Sequence, residues 1–151
     1  MKLLSALVIT TFLIACNAEE KEPKTPETDL STVKDTPVTN CYTYASESDT
    51  ISLKITQVND SVSGTLIYKL KEKDSNTGTV KGSFKDSILL ADYTFLSEGV
   101  SSVRQVAFKK EDNNLVEGYG EVFNDNGKTS FRKPDSLTFS STLKIVKTAC
   151  E

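Results

Sequence analysis

The chain has 151 residues, 26% of them charged, a formal net charge of −3 and no histidine. So mild an acidic balance excludes a nucleic-acid partner, which would call for a clustered basic surface. The missing histidine removes the commonest general base and metal ligand, and no metal or cofactor is expected.

In chain order, Met1 and Lys2 precede an uncharged run at residues 3–15. That run is shorter than the roughly 20 helical residues a hydrocarbon core requires. With one leading positive charge, it suits the apolar region of a secretory signal. It ends Leu13-Ile14-Ala15-Cys16. All four positions resemble the lipobox of bacterial lipoproteins: aliphatic, free, small, cysteine. The resemblance covers only the first 16 residues. It implies cleavage after Ala15, acylation of Cys16 (palmitate among the acyl chains), and Cys16 as the mature N-terminus. The competing reading is a buried cysteine closing a helix, which nothing downstream would pack. Several acyl chains, each methylene adding about 0.8 kcal/mol, hold firmly where one holds marginally. Removing Lys2 takes the formal charge from −3 to −4. Asn17 stands where inner-membrane retention in this family calls for aspartate, which implies an outer-membrane address in the cell envelope. Glu19-Glu20-Lys21-Glu22 resembles the surface-export signal of some Bacteroidetes lipoproteins.

Residues 17–40 hold no aromatic side chain and carry Pro23, Pro26 and Pro37 among Glu, Lys, Thr and Asp. Such a segment buries too little apolar surface to offset its chain entropy, so residues 16–40 read as a lipidated, disordered tether stiffened by proline. One small domain follows over residues 41–151. Of three cysteines, Cys16 is assigned to lipid, leaving Cys41 and Cys150 at the two ends of that domain. An exported pair of thiols is expected to oxidise to a disulfide. Closing a loop of about 110 residues stabilises by about 4–5 kcal/mol in the chain-entropy treatment.

Beyond Cys41 the apolar residues alternate with period two, the signature of half-buried strands. One face collects Ile51, Leu53 and Ile55; then Val62, Gly64, Leu66, Tyr68 and Leu70; then Val80, Gly82 and Phe84. Leu89, Ala91, Tyr93 and Phe95 follow, then Arg104, Val106 and Phe108, and finally Leu137, Phe139, Leu143 and Ile145. Residues 58–61 read as a hairpin turn. The stretch "LVEGYGEVF" allows two frames. Asn126-Gly127 suits a type I′ hairpin that sets Val122 opposite Phe131, which favours Val116, Gly118, Gly120 and Val122 inward and both glutamates in water.

Eight or nine antiparallel strands with short turns define an all-β fold. The expectation is a single up-and-down β-barrel, since closure removes free edges; a two-sheet β-sandwich is the alternative. In such a barrel the first and last strands are neighbours, so the disulfide would seal the closure. The plan resembles a small lipocalin-like barrel, without any lipocalin sequence signature.

With both domain cysteines oxidised, an enzyme would have to rely on carboxylates. Glu98, Glu117 and Glu121 are the candidates, each placed at a turn or on the solvent face, so a non-catalytic protein is expected. Neither "FNDNGKTS" nor "KDSNTGTV" meets the spacing of a calcium loop. The inward set Arg104, Tyr68, Tyr93, Phe95 and Phe108, with Gly64, Gly82, Gly118 and Gly120 leaving room, forms a candidate ligand site for a small amphiphile or anion. The plainer alternative makes the aromatics ordinary core and pairs Arg104 with Glu98 or carbonyls at the barrel mouth. Asp49-Thr50-Ile51, Asp60-Ser61-Val62, Asp86-Ser87-Ile88 and Asp135-Ser136-Leu137 resemble the O-glycosylation pattern of Bacteroidetes exported proteins, although turns ahead of strands read the same way. The functional expectation is a membrane-anchored binding module for a small ligand or a protein partner. The alternative is an inhibitor or accessory factor of an envelope hydrolase, acting through "SEGVSS" and "NDNG".

Overall fold

A computed structural model describes residues 35–71, 73, 75–139 and 143–151. The expected signal at residues 1–15, the expected lipidation of Cys16 and the expected tether as far as residue 34 lie outside the described residues. The strands are β1 (Val38–Ala45), β2 (Thr50–Val58), β3 (Ser61–Lys69), β4 (Asn76–Lys85) and β5 (Ile88–Ser97). They continue with β6 (Val100–Glu111), β7 (Asn114–Gly118), β8 (Val122–Asp125), β9 (Lys128–Phe131) and β10 (Lys144–Thr148). β1 begins at Val38, which pairs with Gln57, so residues 38–40 of the expected tether segment are strand.

The fold is all-β and closed. β1 to β7 follow one another antiparallel, β5 pairs with β6, and β7 returns to β1 through β10, giving an eight-stranded barrel with β8 and β9 as additions. Alternation along each strand drives this arrangement: a sheet with one apolar face must bury it, and rolling up buries it against itself. The first and last strands pair as expected, Cys41 lying opposite Thr148, and Cys41 is disulfide-bonded to Cys150 across 5.3 Å between Cα atoms. The Asn126-Gly127 turn forms with φ of 49° and 82°, the left-handed values a type I′ hairpin needs, and Val122 faces Phe131.

The interior is filled by the expected residues of β2 to β6, joined by Tyr42, Leu115 and Ile145. On the outside, β2 to β4 present Lys54, Ser63, Thr65, Lys69, Thr79, Lys81 and Ser83, all exposed.

Two expectations are overturned. "LVEGYGEVF" is not one strand: β7 ends at Gly118 and β8 begins at Val122. The hairpin therefore cannot transmit its parity to β7. Leu115 joins the core, Glu117 stands opposite inward-facing Phe108, and Gly118 faces outward. There a Cβ on Gly118 would collide with the ring of Phe139, and one on Gly120 would stand 2.6 Å from Leu137. These glycines make room for side chains packed on the outer wall, not for a ligand inside. Equally, residues 137–145 are not one strand. A 3-10 turn at Pro134–Ser136 precedes a single bridge between Tyr119 and Thr138, and β10 starts at Lys144. Leu137 and Phe139 thus cover the outside of the wall, while Ile145 is core.

Candidate functional site

β6 positions the site because it changes partners. Along one edge it pairs with β5 from Val100 to Lys109. Along the other it pairs with β7 from Ala107 to Glu111, then with β9, in parallel, at Val103 and Arg104. Between the two partners the Phe131 amide donates to Oε1 of Gln105 at 3.0 Å, bridging the wall with a side chain instead of a ladder. At this break lies a cleft of about 260 Å³, lined by Arg104, Val106, Glu117, Tyr119, Val122 and Phe131 among others.

Arg104 follows the β6 alternation inward and lies opposite Tyr93. Its guanidinium carbon is 5.0 Å from the ring centre of Tyr68 and 5.5 Å from those of Tyr93 and Phe95. Tyr93 and Phe95 stack with centres 4.8 Å apart, and Tyr68 meets Tyr93 edge-on at 5.8 Å. The result is an aromatic cage whose cation is the chain's own arginine, a favourable arrangement for a partly desolvated charge. Among the described residues Arg104 forms no ion pair, and its buried Nε–H has no hydrogen-bond partner. Two further buried polar atoms among the described residues lack a partner, the hydroxyl of Tyr93 on β5 and Oδ1 of Asn76 on β4. Unsatisfied buried groups are uncommon in folded proteins, and each calls for a partner, an ordered water or a ligand.

Glu117 supplies the opposite charge. Tyr68 donates to its Oε1 at 2.6 Å and Tyr119 to its Oε2 at 3.1 Å. Burial, reinforced by this carboxylate, pushes the Tyr68 hydroxyl well above its ordinary pKa, against a smaller opposing pull from Arg104. Burial lifts Tyr93 to about 12, again partly offset by Arg104. Both phenols therefore stay protonated as hydrogen-bond donors through the physiological range.

Of the residues expected to line the site, Arg104, Tyr68, Tyr93 and Phe95 are brought together. Phe108 belongs to the deep core, 1% exposed and opposite Glu117. Glu98 occupies an exposed two-residue turn, and Glu121 is exposed beside β8. Glu117, expected in water, faces inward, and Tyr119, half exposed beyond the end of β7, reaches it with its hydroxyl. The discarded frame of "LVEGYGEVF", with Leu115 inward, carries the signal that finds them. The segments "SEGVSS" and "NDNG" are tight hairpin turns rather than extended loops. Of the four Asp-Ser/Thr motifs, three lie where turns lead into β2, β3 and β5, and Ser136 closes the 3-10 turn. Among the described residues, no group of His, Cys, Asp and Glu side chains is placed to hold a metal ion. No family model, curated protein or solved structure matches the chain.

Proposed function

We propose that this protein is a non-catalytic binding module of the bacterial envelope. It hangs from the outer membrane by acyl chains on Cys16 and captures a small ligand bearing an acidic oxygen at Arg104. The observation that carries the reading is the buried, partnerless Nε–H of Arg104 inside a ring of aromatics beside a cleft. A carboxylate or phosphate oxygen accepting from that N–H would form a charge-assisted bond, about twice as strong as a neutral one. The partnerless Tyr93 hydroxyl belongs to the strand position opposite. A binding role is favoured over chemistry because Glu117, the one inward carboxylate of the cleft, is already held by two tyrosine hydroxyls. An anchor is favoured over a spanning barrel because the polar outer face and apolar interior invert the pattern of transmembrane barrels.

Native mass spectrometry of the full chain, extracted from its own envelope in mild detergent, tests this. A small adduct released on denaturation and missing from Arg104→Met is the expected result. A bare protein mass in both would overturn it.

A second reading, an inhibitor or accessory factor working through its turns, draws support from the β5–β6 hairpin. Leu96 and Val100 flank that turn and are 63% and 66% exposed. Photo-crosslinking from position 96 in cells would yield a discrete protein adduct under this reading, and none under the first.

A further inference from the structure

We propose that the cleft between β6, β7 and β9 selects a small zwitterion, an amino acid with an apolar side chain, holding its carboxylate on Arg104 and its ammonium on Glu117. This rests on the reading of Arg104 as a ligand site and deepens it. The two charged groups line one cleft yet do not pair with each other. Tyr68 touches both, its hydroxyl on Glu117 and its ring against Arg104. A bare anion seated on Arg104 would lie beside the Glu117 carboxylate, and like charges in a partly buried site repel strongly. A ligand that also carries an ammonium turns that repulsion into attraction. Glu117 keeps the capacity for it, because each carboxylate oxygen accepts one tyrosine proton and retains a second lone pair. Beside the two charged groups the lining mixes apolar Val106, Val122 and Phe131 with polar Gln105, Tyr119 and Thr129. The volume of about 260 Å³ lies below the roughly 300–1,000 Å³ typical of drug-sized ligands, which excludes a long acyl chain.

Calorimetric titration of the delipidated wild-type protein with L-leucine, N-acetyl-L-leucine and L-leucine methyl ester tests the proposal. Leucine binds saturably, and the two blocked derivatives, each lacking one charge, bind at least tenfold more weakly. In Glu117→Gln the affinity for leucine falls to that for N-acetyl-leucine, which itself does not weaken. N-acetyl-leucine binding as tightly as leucine, abolished by Arg104→Met, would overturn the zwitterion and leave the anion site standing. No binding by any of the three would also overturn it, whereas the site itself answers to the copurified ligand. The ligand series on wild-type protein decides the zwitterion by itself, whether or not either variant folds.

Discussion

The hydroxyl of Tyr68 on β3 donates a 2.6 Å hydrogen bond to the carboxylate of Glu117 on β7, joining strands on different sides of the barrel through its interior. The same tyrosine ring bears the guanidinium of Arg104. One side chain thus organises both charges of the cleft, and several consequences can be measured.

Tyr68→Phe keeps the ring and removes the donor. Hydrogen bonds to charged groups contribute about 1.5–3 kcal/mol, and urea unfolding of this variant should show a loss of that order. In combination with Glu117→Gln the losses should be clearly non-additive, since both changes break the same bond.

Alkaline pH should unfold the protein. Tyr93, at about 12, stays protonated in the native state at pH 11, while unfolded tyrosines titrate near their ordinary value. Native protein then binds more protons than unfolded protein, so stability is full below about pH 10 and declines as pH rises toward 12. Tyr68 acts in the same direction. Urea midpoints between pH 9 and 11.5 should fall, and Tyr93→Phe should flatten the slope.

The outer wall can be tested at Gly118, where an added methyl meets Phe139. Gly118→Ala should cost about 1–3 kcal/mol as an overpacking change. Adding Phe139→Ala should recover part of that loss. Independent costs would contradict the contact.

Much of this architecture was legible because inward positions on β2 to β6 alternate without interruption from Ile51 to Phe108. Two-residue turns carry the chain between most of these strands without disturbing the parity, and barrel closure, which sets the last strand beside the first, suits a disulfide between cysteines at the two ends. Legibility failed where the chain leaves the barrel. Glu117 looked solvent-facing because residues 115–123 were treated as one strand, so the register of Val122 and Phe131 was extended through a break at residues 119–121. Period-two reasoning has no means of registering such a break. Gly118 and Gly120 looked like room for a ligand because the side chains that fill it, Phe139 and Leu137, come from about 20 residues later in the chain.

Replacing both Cys41 and Cys150 by alanine should leave the barrel topology intact, because β1 and β10 also pair through backbone. It should lower unfolding free energy by at most about 4–5 kcal/mol, the chain-entropy value for a loop of this length. A lower urea midpoint with an unchanged circular dichroism spectrum checks both points.

Cys16→Ser should abolish incorporation of labelled palmitate. Label still incorporated into that variant would contradict a lipid anchor on Cys16.

The most direct test of the Arg104 site uses its own Nε–H, because the chain has two arginines and the other, Arg132, lies over exposed Phe123. Their side-chain Nε–Hε signals can be followed by nuclear magnetic resonance during titration with sodium acetate to high concentration, since Glu117 weakens a bare anion's binding at Arg104 without abolishing it. The account predicts a saturable downfield shift of the Arg104 signal with Arg132 almost unmoved. Two signals drifting together, linearly and without saturation, would contradict it.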